Sequence, residues 1–164
     1  MNTDIRVEHL SDHRCAIPTV VSWIYDQWHH MFPEMTLDGL AVGFSEHITP
    51  KKIPETFVVL MEDEIIGTAS IVENDMETRL DLTPWLAAVY VKPEYRSQGI
   101  GSKLVQALLD EAAALNLERF YLFTPDRVSF YTRLGWKILE ETEYRGENVT
   151  VMYYNFSPEN RPSL

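Results

Sequence analysis

The run Arg96-Ser97-Gln98-Gly99-Ile100-Gly101-Ser102 carries the clearest chemical signal in the chain. Gly99 and Gly101 have no Cβ, so the backbone can bend sharply there and a ligand can approach it closely. The residues after them recur in apolar steps of three and four: Ile100, Leu104, Leu108, Ala112 and Leu115, widened by Val105 and Leu109. That spacing predicts one buried face of a helix of about four turns. The first N–H groups of such a helix have no partners within it, and the helix dipole makes them a receptor for anions, phosphate above all. Upstream, Trp85–Val91 is a short apolar run bounded by Pro84 and Pro93 and reads as a buried strand. Strand, loop and helix together set a phosphate at the carboxyl end of a sheet, where α/β proteins bind ligands.

Two common phosphate motifs are excluded by the residues themselves. A mononucleotide loop needs G-x-x-x-x-G-K-[ST], but Lys103 is followed by Leu104 and Arg96 stands at the first glycine position. The dinucleotide fingerprint G-x-G-x-x-G fails because Leu104 occupies its third glycine. What remains is R-x-x-G-x-G after a V-x-V-x-P strand end, and this resembles the acetyl-CoA signature of the GNAT superfamily of N-acetyltransferases.

The resemblance implies a cofactor, acetyl-CoA, lying where two parallel strands splay apart. Its pantetheine arm would pair with the backbone of Val89, Tyr90 and Val91. Its pyrophosphate would rest on the backbone of Ser97, Gln98, Gly99, Ile100, Gly101 and Ser102, with Arg96 at the first motif position helping to hold the loop. A second landmark is a tyrosine just before a leucine-glycine-aromatic triplet. Here the run is F-Y-T-R-L-G-W, which puts Tyr131 in the place of the general acid that protonates the departing thiolate. A phenol suits that role, as an O–H donor of high pKa that stays neutral beside an apolar cofactor. The sequence departs from the family pattern twice. Thr124 stands where many members place a cofactor-binding asparagine, and Trp85 stands where many place a catalytic glutamate. The general base is therefore unassigned, with Asp81, His29, His30 or a chain of waters as candidates. His29 and His30 are adjacent and match no H-E-x-x-H pattern, so no metal is expected.

The elements that must position these residues can be read from periodicity and punctuation. Ile5–Leu10 alternates weakly and predicts a first strand, with Ser11 or Asp12 capping the segment after it. Residues 16–32 are strongly aromatic, with Val20, Trp23, Ile24 and Trp28 on one helical face and Pro33 closing the run. This segment resembles the variable region that lines the acceptor pocket in the family. Leu37–Ile48 predicts a second helix capped by Thr36, with Leu40, Phe44 and Ile48 on one face. Strands are expected at Thr56–Met61 and Ile65–Val72, joined by the acidic turn at 62–64, and again at Arg119–Phe123. Asp126 is expected to cap a short helix over Val128–Leu134 that Gly135 ends. Trp136–Tyr144 and Asn148–Phe156 close the chain as two strands, turning at Arg145 and Gly146. The resulting order, β-α-α-β-β-β-α-β-α-β-β, predicts an α/β fold with a GNAT-like mixed central sheet flanked by helices. One domain over 1–156 and a frayed tail over 157–164, carrying Pro158 and Pro162, are expected.

Composition narrows the function classes. Fourteen basic residues against twenty-five acidic ones give a net charge of −11, which argues against nucleic acid or an anionic membrane as partner and favours a cationic acceptor. A single cysteine, Cys15, excludes a disulfide framework and a cysteine-based zinc site. No run approaches membrane-spanning length and the N-terminus lacks a leader's apolar core, so a cytoplasmic location is expected. The function expected is direct transfer of acetyl from acetyl-CoA to a primary amine of a small molecule or peptide, by an enzyme that could work as a homodimer. The alternative is a non-catalytic acyl-CoA-binding sensor, favoured by the missing base and disfavoured by Tyr131.

Overall fold

The structure is a computed structural model and describes residues 4–156. Its elements follow the expected order: β1 (Ile5–His9), α1 (Ile17–Trp28), α2 (Leu37–Ser45), β2 (Glu55–Met61), β3 (Glu64–Val72), β4 (Trp85–Val91), α3 (Ile100–Ala114), β5 (Arg119–Thr124), α4 (Val128–Arg133), β6 (Lys137–Tyr144) and β7 (Glu147–Asn155). The strands form one mixed sheet in the order β1-β2-β3-β4-β5-β7-β6, in which only β4 and β5 run parallel.

The sheet is covered on both faces. On one face α3 buries Ile100, Leu104, Val105, Leu108, Leu109 and Ala112, the predicted stripe, against Val59, Ala69, Ile71 and Leu86. On the other face α1 and α2 pack Val20, Ile24 and Phe44 against Val58 and Leu60. A third cluster gathers around Trp85, with Tyr121, Val149 and Val151. β2 thus alternates between two cores, with Val59 on one face and Val58 and Leu60 on the other, the period-two consequence of the pleat.

Local differences from expectation have local causes. No hydroxyl or carboxylate of Ser11 or Asp12 caps the turn after β1; the His9 ring accepts from the Ser11 N–H at 3.0 Å. Helix α2 does start at Thr36, whose Oγ1 accepts from the Gly39 N–H at 3.0 Å. It ends at Ser45, short of Ile48, where the Glu46 N–H turns back to the Gly43 carbonyl. Asp126 does not cap α4: the Thr124 hydroxyl accepts from the Arg127 N–H at 3.0 Å instead. The expected tail over 157–164 lies outside the described residues.

One polar group is buried deep beneath α3. Glu55 is wholly inaccessible to solvent, faces Glu111 of α3, and lies 3.8 Å from the His9 ring. Burial, then the neighbouring Glu111 carboxyl, pushes its carboxyl up to about 8. Glu111 is also pushed up by burial, but its neighbour Glu55 and the ion pair with Lys51 outweigh this and leave it lowered. Glu55 is therefore the protonated partner. A carboxyl that binds its proton more tightly folded than unfolded stabilises the fold below its unfolded pKa and loses that contribution as pH rises through about 8. Between pH 5 and 9 the melting temperature of Glu55→Gln should accordingly fall less than that of the wild type, with the variant the more stable at pH 9. Parallel curves in calorimetry would mean that Glu55 ionises freely.

Candidate active site

The site is built on a seam that opens within the sheet. β4 and β5 pair at Trp85 and Tyr121, and the Tyr121 N–H reaches the Pro84 carbonyl at 3.1 Å; beyond that pair the strands diverge. The divergence begins where β4 bulges. Thr68 of β3 opposes Tyr90 and Ser70 opposes Ala87, so Ala88 and Val89 together face Ala69. Ala88 takes φ of +55°, a left-handed conformation that a residue with a Cβ adopts only when its surroundings hold it there. Bulges bend and twist a strand. Here the bend swings the carboxyl half of β4 off β5 and leaves its β5-facing backbone groups without a ladder partner.

The fully buried Trp85 fixes the closed end of the seam. Its indole N–H donates to the Leu82 carbonyl at 2.7 Å, and its ring packs on Tyr121 and Phe123. At the open end the chain turns through a short helical turn at Pro93–Tyr95 into the glycine loop. The Arg96 Nε–H donates to the Val91 carbonyl at 2.7 Å, and its guanidinium lies 5.3 Å from the Tyr90 ring. Arg96 thus holds the loop against the strand end.

Gly99 is the N-cap of α3, with φ of +81° and no side-chain cap, so the first N–H groups of the helix have no side-chain acceptor. A Cβ at Gly101 would stand 3.4 Å from the Phe130 ring of α4, which makes this a close crossing of two helix ends. Ser97 also has positive φ, +63°, which turns the loop back toward the cleft. Successive N–H groups with this backbone form a concave anion receptor.

Seam, loop and α4 line one continuous cleft of about 1510 Å³. Val89, Tyr90 and Val91 form one wall of it, and Arg96, Ser97, Gly99, Gly101 and Ser102 form the cradle end. Thr124 and Tyr131 form the opposite wall. Ten of the twelve positions predicted from sequence are therefore brought together. Gln98 and Ile100 are not in the lining: Gln98 donates to the Glu94 carbonyl at 3.1 Å, and the Ile100 side chain is buried in the core. Thr124 lines the cleft, but its hydroxyl already accepts from the Asp126 and Arg127 N–H groups just before α4. Tyr131 is nearly buried, edge-on to Phe130 and Trp136, and burial pushes its phenol above the ordinary value near 10.

The base candidates separate clearly. Asp81 is exposed, bound by both arms of Arg79 at 3.0 Å, and held below the usual carboxylate range by that bond; it does not line the cleft. His29 stacks on Tyr25 and donates to its carbonyl at 2.8 Å, also outside the cleft. His30 does line it, at an exposed edge, 3.2 Å from Glu147. Two lining residues had no local signal in sequence. Asp75 is a half-buried carboxylate of the β3–β4 loop that burial pushes up to about 8. His47 sits just past α2 and is bonded to Thr56. Among the described residues no group of three or more His, Cys, Asp or Glu is placed to hold a metal ion, and no helix is long and apolar enough to cross a membrane.

An opened parallel seam beside a glycine-capped helix N-terminus defines a site for an extended, phosphate-bearing molecule. Comparison with known proteins supplies the class. The acetyltransferase (GNAT) family profile matches residues 17–136, and the chain belongs to that family. It is 36% identical over 85 residues to N-alpha-acetyltransferase 30 of Schizosaccharomyces pombe, covering 49% of this chain and 56% of that protein. It is 40% identical over 63 residues to the thialysine N-epsilon-acetyltransferase of Sus scrofa, covering 36% and 37%. The chain thus spans about half, or less, of the length of these curated relatives. Among solved structures, a spermidine N-acetyltransferase chimera from Vibrio cholerae superposes with a TM-score of 0.69 at 20% identity, over 92% of this chain and 94% of the other. A Salmonella typhimurium protein described as an acetyltransferase and solved with its cofactor acetyl-CoA superposes with a TM-score of 0.70 at 16% identity, over 97% and 98%.

The cradle makes a direct prediction. Gly101→Glu would place a carboxylate among the N–H groups that receive the anion and press on Phe130. Coenzyme A affinity in calorimetric titration should drop at least about 10²-fold, the equivalent of two charged hydrogen bonds, while circular dichroism stays native. Undiminished affinity would place the phosphates elsewhere.

Proposed function

We propose that the protein transfers an acetyl group from acetyl-CoA directly to a primary amine of a small molecule or peptide. The observation that carries this reading is the joining of three features in one cleft: the unpaired backbone of β4, the glycine-capped end of α3, and the Tyr131 phenol. Val89, Tyr90 and Val91 offer main-chain groups to an extended amide-bearing arm, as an added strand would use them. Residues 97–102 offer N–H groups to the pyrophosphate. Relatives whose names specify N-alpha, thialysine N-epsilon and spermidine acceptors support an amine as acceptor.

In the transfer, the amine nitrogen bonds to the acetyl carbon, the carbon–sulfur bond breaks, and the sulfur leaves with the bonding pair. Tyr131 supplies the proton that the sulfur takes up, and the proton that the nitrogen sheds as the amide forms restores the phenol. Its raised pKa keeps the phenol protonated until that moment, and its burial keeps water from competing. The acceptor half of the cleft is edged by Asp75, Glu147 and His30, which suits an amine arriving as a cation. The net charge of −11 and the lone Cys15 fit a protein of the reducing cytoplasm that does not seek nucleic acid.

Release of free thiol from acetyl-CoA in the presence of spermidine, thialysine and a peptide with a free α-amine tests the proposal. Turnover above the no-acceptor background is expected with at least one of these classes. Binding of acetyl-CoA without turnover across a broad amine panel would favour a sensor. For Tyr131→Phe, which keeps the ring, kcat and kcat/KM should fall together by about 10²–10⁴-fold while KM for acetyl-CoA barely moves. Wild-type kcat in this variant would reduce Tyr131 to packing.

A further inference from the structure

Trp85 opens β4 and spends its one polar side-chain atom on the Leu82 carbonyl, so it cannot take a proton. An amine that arrives protonated must nevertheless lose a proton before its lone pair can attack. The cleft holds few groups able to take it, and one of them is built into the sheet. His47 comes just after α2, packs its ring 5.0 Å from Phe44, and lines the cleft. Its Nδ1 lies 2.8 Å from the Thr56 hydroxyl of β2, and that hydroxyl lies 2.7 Å from the Ser70 hydroxyl of β3. Thr56 and Ser70 are fully buried. Ser70 in turn opposes Ala87, the residue just before the β4 bulge, and also lines the cleft. The chain of hydroxyls therefore runs from the end of α2 across two strands to the point where the seam opens.

One polarity of this chain frees the imidazole to accept a proton. The single Thr56 proton can go to Ser70, in which case Thr56 accepts from His47 Nδ1–H and the Nε2 lone pair is left over. The hydrogen bond of the ring is the one at Nδ1, which leaves Nε2 without a partner among the described residues. We infer that His47 is the general base of the reaction, its Nε2 taking a proton from the acceptor's ammonium group, with Thr56 and Ser70 as positioning residues. The N–H bond of the ammonium breaks, its electron pair stays on nitrogen, and the proton forms a new bond to Nε2. The imidazolium then returns the proton to solvent after acetyl transfer. The inference rests on the amine-acetylating reading given above.

The surroundings keep the ring neutral and ready. Burial pushes its pKa below the ordinary 6.5, and Glu46 beside it opposes this only in part. β2 and β3 face it with hydroxyls, and Glu55, the protonated carboxyl next to Thr56, points to the other face of the sheet, toward Glu111. The cleft's other ionisable groups include Tyr131, Arg96, His30, Glu147 and Asp75. Of these Asp75 is the rival: it also lacks an ion pair or side-chain hydrogen bond, but a limb set by it would fall near 8.

The test is the pH dependence of kcat with whichever of spermidine, thialysine or an α-amino peptide the wild type acetylates, for the wild type, His47→Gln, Thr56→Val and Asp75→Asn. The wild-type profile should rise through a one-proton limb below pH 6.5. His47→Gln should lose about 10²–10⁴-fold in kcat, lose that limb, and keep its affinity for acetyl-CoA. Thr56→Val should keep the limb with an altered midpoint and a smaller loss. In the NMR spectrum of the wild type, the His47 ring should be the Nδ1–H tautomer at pH 7.5 and titrate below 6.5. Retention of wild-type kcat and limb in His47→Gln would overturn the inference while leaving the transferase reading intact, as would a limb near pH 8 abolished by Asp75→Asn. An Nε2–H tautomer would overturn it independently of turnover. Wild-type protein that binds acetyl-CoA and acetylates none of the amines would remove both readings together.

Discussion

Backbone polar groups that leave water need partners, and the whole site is a consequence of one place where the sheet withholds them. β4 is a central strand, flanked by β3 and β5, yet only its β3 side is paired along the strand, across one bulge. Everything nearby maintains that opening. The Trp85 cluster clamps the seam at one end, so β5 cannot peel away altogether. The Ala88 bulge turns the strand out of register, and Arg96 ties the far end of β4 to the loop through the Val91 carbonyl. In the free protein the open ladder edge has only solvent to bond to. A bound molecule that supplies the missing hydrogen bonds takes the place of that solvent, which couples binding to rigidity.

The two faces of the sheet divide the remaining work. The α3 face is a conventional core, and even its buried carboxyl, Glu55, is neutralised by keeping its proton. The α1/α2 face carries the reactive margin: aromatic rings on α1, the His47–Thr56–Ser70 chain, and the acidic edge at Asp75 and Glu147. Trp23 stacks on Tyr90 at 5.2 Å, and Arg96 lies over the same ring from the loop. This column joins α1 to the cradle, so substitutions in α1 also bear on β4 and on the loop after it.

Much of this was legible in the amino-acid sequence because the signals are local. The α3 stripe, the Gly99 turn, the Thr36 cap and the Tyr131 position are each set by residues within a few places of one another. The features that escaped were non-local or lacked a composition cue. The β4 bulge falls on Ala88, not on a glycine, so nothing in the run W-L-A-A-V-Y-V marks it. The turn before α4 is held by the Thr124 hydroxyl and not by Asp126, a choice decided by where β5 ends. His47 had no signature, since its partners arrive from two strands, nine and twenty-three residues downstream. Asp81, attractive by charge alone, was removed by Arg79 two residues away.

The central claim is that the β5-facing backbone of β4, together with the N-terminal turn of α3, is where acetyl-CoA binds. Amide hydrogen exchange read by mass spectrometry, with and without saturating acetyl-CoA, tests it most directly. Protection should appear in peptides covering residues 87–91 and 97–102, while peptides from β6, at the far edge of the sheet, exchange unchanged. Binding that leaves both segments exchanging as in the free protein would contradict the account.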